Sequence, residues 1–372
     1  MINKICHLTS VHSRYDVRIF FKECKSLAKA GYDVSLIVAD GKGDEIKNDI
    51  YIYDVGKPSN RLRRIIKTTK AVYEKAVMLN AEIYHLHDPE LLQYSSKLKK
   101  NGKKVIFDSH EFYGLQIQDK QYIPKFFRRI IAKTYMCYEA HACRKIDSVI
   151  QICTVNGNNY FENRCKMNAF ITNVPIISNL NPSYNVLFSD RKKVIYIGSL
   201  TYSRGITHLI QASSYTDIQI ILAGSWDTEL YEEQVKKMHE FQNVEYIGFL
   251  DITKMNLVLD NCLAGISTLL DVGQYYQCDT LSTKIYEYMA MGLPVIFFNS
   301  PYNNLINKKF EFGICVDPSN SKEIACAIDY LKNNPDEAKK MGERGRELIL
   351  NLYNWEVEEK KLLELYSIIK RQ

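Results

Sequence analysis

The segment DTLSTKIYEYMAMGLPVIFF (Asp279–Phe298) runs from a polar loop into an amphipathic helix and then into a short apolar strand near Pro294 to Phe297. Short β-rich runs alternating with longer amphipathic stretches are the pattern of parallel sheets with crossover helices. Working outward, the same rhythm predicts strands near Lys193 to Ile197, Ile218 to Leu222, Val244 to Ile247 and Ala264 to Ser267. An earlier series falls near Ile2 to Leu8, Val34 to Val38, Ile83 to Leu86, Lys104 to Phe107 and Ser148 to Ile152. The expected fold class is therefore α/β, with two Rossmann-like doubly wound domains. A chain of 372 residues, 46% of them hydrophobic, is long enough for two cores.

The stretch TNVPIISNLNPSYN, with two prolines and four asparagines, reads as the connection between the halves. The first domain is expected over residues 1–178 and the second over 179–350. Residues 351–372 form a last helix, with Trp355, Leu362, Leu365, Tyr366 and Ile369 at helical spacing. It needs a surface, either closing the second domain or crossing back to the first. There is no short-period repeat.

Composition narrows the class. Charged residues make up 25% and the net charge is +6, which is ordinary for a folded globular chain. The start MINKICHLTS lacks the apolar stretch of a secretory signal, and no apolar run approaches the roughly 20 residues that span a bilayer. A cytoplasmic protein is expected. Ten cysteines without a C-x-x-C pair fit a reducing compartment and argue against a disulfide framework.

Ligands of doubly wound sheets bind beyond the carboxyl ends of the strands, so candidate sites should follow strands, around a cleft shared by the two domains. In the opening segment, Ser282 or Thr283 caps a helix whose N-terminus offers N–H groups and positive dipole to a diphosphate, and Lys284 adds a full charge. Glu287, one turn on, can accept hydrogen bonds from two vicinal ribose hydroxyls, and Asp279 can do the same for a sugar. The plainer reading is a capped amphipathic helix with one exposed glutamate.

The string TKIYEYMAMGLPVI, with an acid eight residues before its glutamate, resembles the donor-binding signature of family 4 glycosyltransferases, the large retaining group of GT-B fold. In that family the first acid contacts the donor sugar and the second holds the ribose; here Asp279 stands where Glu is usual. Three more segments carry the resemblance through most of the chain. VHSRYDVRIFFKECKSLAKAGYDVSLI (Val11 to Ile37) is similar to the opening loop and helix of a subgroup, with Arg14, Asp16 and Arg18 offering polar contacts in place of a Gly-Gly loop. In VIFDSHEFYG, His110 resembles the histidine that stabilises charge on the donor. A plain histidine hydrogen-bonded at a strand end is the competing reading. VIYIGSLTYSRGITHLIQA supplies Gly198, then Ser199 where relatives often have a basic residue, then Arg204 and Gly205 opening a helix. The resemblance implies that Arg204 and Lys284 stabilise the leaving diphosphate.

HLHDPELL (His85 to Leu92) has two histidines and an acid close together, but a metal site is not expected, because no second ligand cluster accompanies them. Asp88 and Pro89 are expected to cap the next helix. No Asp-x-Asp pair occurs, so neither a divalent ion nor a further cofactor is expected.

Three stretches without acids, Arg61 to Lys70, Lys97 to Lys104 and Pro124 to Lys133, concentrate basic charge in the first half. The last sets Phe126 and Phe127 beside Lys125, Arg128 and Arg129, the composition of a helix lying on an anionic membrane, although a core-packing helix with a basic face has it too. Nucleic acid is not an expected partner, because no recognition module accompanies the basic patches. The combined expectation is a transferase moving a hexosyl unit from a nucleotide diphosphate sugar, uridine-linked, to a glycan hydroxyl on a lipid-linked acceptor. Such reactions build bacterial capsule or O-antigen, and the enzyme would sit peripherally at the inner face of the membrane. The rival expectations are a nucleotide-sugar epimerase of the same fold and a non-catalytic relative that binds glycan or membrane.

Overall fold

The computed structural model describes residues 4–100, 102–119, 123–183, 185–250 and 252–371. The chain divides into two compact units, one of residues 1–173 with 356–372, the other of 174–355. The strand expected from Ile2 begins at Lys4 among the described residues; Ile2 and Asn3 lie outside them.

The first unit holds an eight-stranded sheet: β1 (Lys4–Leu8), β2 (Asp33–Val38), β3 (Glu45–Lys47), β4 (Ile50–Asp54), β5 (Ile83–Leu86), β6 (Lys104–Ser109), β7 (Ser148–Gln151) and β8 (Asn168–Phe170). The order is β3-β4-β2-β1-β5-β6-β7-β8, parallel except for the β3–β4 edge pair. The direction of winding reverses between β1 and β5. That edge pair and β8 are absent from the sequence reading. In EIKNDIYIYD charged and apolar residues mix at the hairpin, and the turn is made by Asn48 and Asp49, both at positive φ (52° and 60°).

The second unit holds β9 (Lys193–Ile197), β10 (Gln219–Ala223), β11 (Val244–Gly248), β12 (Ala264–Ser267), β13 (Val295–Phe298) and β14 (Gly313–Val316). Its order is β11-β10-β9-β12-β13-β14, all parallel, reversing between β9 and β12. Strand alternation sends Ile195 and Phe297 to a core with Tyr286 and Tyr288 on one face. Val194, Tyr196 and Ile296 pack into a second core on the other. The sequence reading lacks β14, which is four residues long and begins at a glycine.

The division falls at 173/174 and 355/356, where the sequence suggests 178/179 and 350/351. Val174 and Leu180 are buried in the second unit's core, which draws the connecting stretch into that unit. The last helix, Trp355–Arg371, buries Leu362, Leu365, Tyr366 and Ile369. Its residues from Glu356 onward belong to the first unit: Glu358 accepts from the Thr172 amide at 2.9 Å, and the Tyr366 hydroxyl lies 2.8 Å from His85 Nδ1.

Candidate functional site

In the second unit the loops after β9 and β12 meet where the strand order reverses, the position at which such sheets bind ligands. The chain leaves β9 through Gly198 (φ +139°), and Thr201 then accepts from the Arg204 amide at 3.1 Å, closing a tight turn. Gly205 follows in the left-handed region (φ +71°), and a Cβ there would stand 2.1 Å from the Thr268 carbonyl. Only glycine lets the two loops approach this closely. Thr268 donates to the Arg204 carbonyl (3.1 Å) and the Leu270 amide to the Ser203 carbonyl (3.0 Å), so the backbone carrying Arg204 is fixed from both sides. The guanidinium lies 5.1 Å from the centre of the Tyr275 ring.

The helix Thr283–Ala290 follows β12 through a long loop. Ser282 occupies its cap position, but the expected capping bond is not made: the hydroxyl pairs with Ser267 at 3.3 Å. The cap oxygen is thus turned away from the N–H groups that begin the helix, which leaves their partial positive charge for an anion. Lys284 lies against Gly198, where a Cβ would stand 2.9 Å from Nζ, and over the Tyr196 ring at 3.6 Å. Desolvation, and then the like charge of Arg204, push the Lys284 ammonium pKa well below its usual range, with Glu287 opposing.

Gly198, Arg204, Gly205, Ser282 and Lys284 are therefore brought together, with half-buried Glu287 beside them. Ser199 contributes its carbonyl, which accepts from the Tyr196 hydroxyl at 3.0 Å, and Thr283 is exposed. Asp279 sits near Tyr302, whose hydroxyl pKa is raised by burial first and then by neighbours that include Asp279. A cavity of about 390 Å³ opens nearby between Tyr202, His208, Tyr276 and Asn299, but Asp271 and Asp317 line it, making it a poor receptor for a diphosphate.

In the first unit His110 follows β6, and its Nε2 is 2.9 Å from Asp108 Oδ2 and 3.1 Å from His87 Nδ1. Arg18 grips Asp108 through two bonds of 2.7 and 2.9 Å. Burial alone would raise the Asp108 pKa; Arg18, and then His110, hold it well below the usual carboxylate range. These partners of His110 are missing from the sequence reading. The available signal is polar Arg18, Lys22 and Glu23 in one short helical segment, all of them buried.

The loop residues Arg14 and Asp16 take structural roles. Arg14 is buried against Asp40 (2.7 and 2.8 Å) and Glu45 (2.7 Å), which braces the loop rather than offering a free contact. Asp16 caps the helix Val17–Cys24, accepting from the amides of Arg18 and Ile19. Asp88 stands at the N-cap of the turn Pro89–Leu91, with Pro89 as its first residue, but its side chain makes no capping bond. Its carboxylate reaches back to the Thr9 hydroxyl (2.9 Å) and the Ser10 amide (2.6 Å). The expected absence of a second ligand cluster around His85 and His87 is also overturned, because β1 and the helix Val17–Cys24 bring His7 and Glu23 to them.

On the helix Lys125–Cys143, Phe126 and Phe127 are 73% and 54% exposed, with Ile130 and Ile131 exposed beside them. Arg129 is exposed and Arg128 donates to the Ile123 carbonyl. The Lys125 side chain lies outside the described residues. Among the described residues no helix is long and apolar enough to cross a membrane.

An uncharacterised glycosyltransferase of Haemophilus influenzae is 23% identical over 352 residues, covering 88% of this chain and 90% of that one. Among solved structures, the sucrose-phosphate synthase of Thermosynechococcus elongatus has a TM-score of 0.80 at 17% identity, covering 99% of both chains. Anabaena HepE in complex with UDP-glucose has a TM-score of 0.71 at 14% identity, covering 98% of this chain and 99% of that one. The fold is thus GT-B. Residues 181–348 match the family model of the group 1 glycosyl transferases, so the second unit of this chain carries a glycosyl transferases group 1 domain.

Proposed function

We propose that the protein is a retaining glycosyltransferase of the family 4 type, moving a hexosyl unit from a nucleotide diphosphate sugar to a glycan hydroxyl. The observation that carries this reading is the pairing of Arg204 and Lys284 beside an uncapped helix N-terminus where the second sheet reverses. Two cations and a set of N–H groups match the charge that builds on a departing diphosphate. They take the part that a divalent ion plays in other transferases. Glu287 is assigned to the ribose, Asp279 to the donor sugar and His110 to the stabilisation of charge on it. The HepE complex with UDP-glucose supports a uridine donor.

The exposed Phe126, Phe127, Ile130 and Ile131, next to Arg129, support a lipid-linked acceptor and peripheral attachment to an anionic membrane. Assembly of a surface polysaccharide is the process this combination serves.

A thermal-shift screen over nucleotide sugars tests the donor, since specific binding raises the melting temperature by mass action. Anomeric analysis of the product tests retention, and sedimentation with anionic against zwitterionic vesicles tests attachment. A Glu287→Ala variant with unchanged donor affinity and transfer rate would sink the donor assignment.

A further inference from the structure

We propose that His7, Glu23, His85 and His87 form a structural site for a zinc-class divalent cation inside the first unit. His7 and His85 are register partners on the adjacent strands β1 and β5, so their side chains share a face. His87, two residues beyond His85, shares it too. Glu23 enters from the helix Val17–Cys24. All four side chains are fully buried.

One atom organises the group. Glu23 Oε2 lies 4.0 Å from His7 Nδ1, 3.9 Å from His85 Nδ1 and 4.0 Å from His87 Nε2. These separations are too long for hydrogen bonds and a few tenths of an ångström beyond the roughly 3.3–3.6 Å that separates two ligand atoms of a tetrahedral site with bonds of about 2.0–2.2 Å, so the ligands would draw inward on binding. Neither oxygen of Glu23 has a hydrogen-bond partner among the described residues, and His7 Nε2 and His85 Nε2 are likewise without one. Arg18 Nε approaches Glu23 Oε1 at 3.1 Å, but its single hydrogen is directed to Asp108. Buried Glu23 faces three imidazoles and, with one shared arginine, the like charge of Asp108, a crowding of buried carboxylates that is costly unless a cation binds there.

The donor set has the right chemistry. Three imidazole nitrogens and one carboxylate oxygen suit a borderline divalent ion in four-coordinate geometry, whereas calcium and magnesium need more oxygen ligands. The ion's charge would satisfy Glu23 as a carboxylate. The hydrogen bond of 2.8 Å between His7 Nδ1 and His87 Nε2 would open as these nitrogens turn to the metal, and His85 Nδ1 would exchange its 2.8 Å contact with the Tyr366 hydroxyl for the ion. His87 also meets His110 at 3.1 Å, so the ion would fix the imidazole against which His110 rests. The inference does not depend on the proposed donor chemistry.

The test is elemental analysis of the full chain expressed in zinc-supplemented medium and purified without chelator or affinity metal. About one zinc per chain is expected, as for a closed structural site. Cobalt-grown protein should show the intense visible bands of four-coordinate Co²⁺, and Glu23→Gln and His85→Gln should each lose the metal. Because these variants can fail to fold, the wild-type result decides. Wild-type protein that folds cooperatively yet holds less than about one tenth of an equivalent of any divalent metal would overturn the site. So would cobalt bands that persist in a folded Glu23→Gln, His85→Gln double variant.

Discussion

The Lys284 ammonium rests 3.6 Å from the centre of the Tyr196 ring, and the Tyr196 hydroxyl in turn donates to the Ser199 carbonyl on the loop after β9. A cation–π contact is modest compensation for a desolvated charge. Desolvation and Arg204 depress the Lys284 pKa in the folded state, so the unfolded chain binds more protons and stability rises with pH until the usual lysine range is passed. Removing the ammonium therefore stabilises the unliganded protein while removing the partner proposed for the diphosphate. Lys284→Met is expected to raise the melting temperature without ligand and to weaken UDP binding about 10- to 100-fold, the worth of one charge-assisted hydrogen bond. Thermal unfolding and titration calorimetry check the two halves. A lower melting temperature together with unchanged UDP affinity would contradict both.

Gly205 and Gly248 separate two causes of glycine's necessity. Both have φ of +71°, but a Cβ at Gly205 meets the Thr268 carbonyl at 2.1 Å, whereas at Gly248 it meets nothing within 4 Å. Gly248→Ala is expected to cost about 1–2 kcal/mol, the left-handed penalty alone. Gly205→Ala forces the two loops apart and should cost clearly more in urea unfolding, with weaker UDP binding that Gly248→Ala does not show. Equal effects would mean that the loop contact is unimportant.

Most of the fold, and the meeting of Arg204 with Lys284 in the second unit, are legible in the sequence, for a physical reason. Parallel strands such as Lys193–Ile197 and Gln219–Ala223, buried through their middles, announce themselves as apolar runs between amphipathic stretches. Arg204, Lys284 and Glu287 stand close to strand ends and glycines, so local spacing locates them. The buried network around His110 does not show in this way. His7, Arg18, His87 and Asp108 come from β1, the first helix, the residue after β5 and β6 itself, and only the strand order places them together. Arg14 marks the opposite limit. Its charge reads as a contact for a ligand until Asp40 and Glu45, 26 and 31 residues away, are seen to take it.

Glu139, buried in the helix Lys125–Cys143, accepts from the hydroxyls of Tyr135 and Tyr160, each at 3.1 Å. Burial pushes its pKa up to about 7 from an ordinary 4.5, although the two tyrosines pull it down. The folded state then holds a proton that the unfolded state has lost, so this group's contribution to stability declines as pH rises from about 4.5 to 7. The decline is on the order of 3 kcal/mol, at about 1.4 kcal/mol per pH unit. Glu139→Gln, which cannot ionise, should flatten the stability profile across that window in urea titrations run at a series of pH values. A variant with the same slope as the wild type would assign the dependence to another group.

Asp108 is fully buried between Arg18 and His110, and Asp108→Asn keeps its shape while leaving the Arg18 guanidinium with the asparagine oxygen, the Ile171 carbonyl at 3.1 Å and Glu23 Oε1 at 3.1 Å. Breaking one side of a buried pair costs about 3–5 kcal/mol when the surviving charge is uncompensated, and less here because Glu23 still stands 3.1 Å from Arg18 Nε. Removing both charges avoids that penalty, so Arg18→Met combined with Asp108→Asn should be more stable than Asp108→Asn alone. The two effects will be non-additive in a double-mutant cycle. Turnover separates packing from positioning. If Asp108 orients His110 through the 2.9 Å contact, the double variant regains stability but not transfer rate, because the imidazole still lacks its carboxylate. Recovery of both together would reduce Asp108 to a partner of Arg18 and remove it from the chemistry.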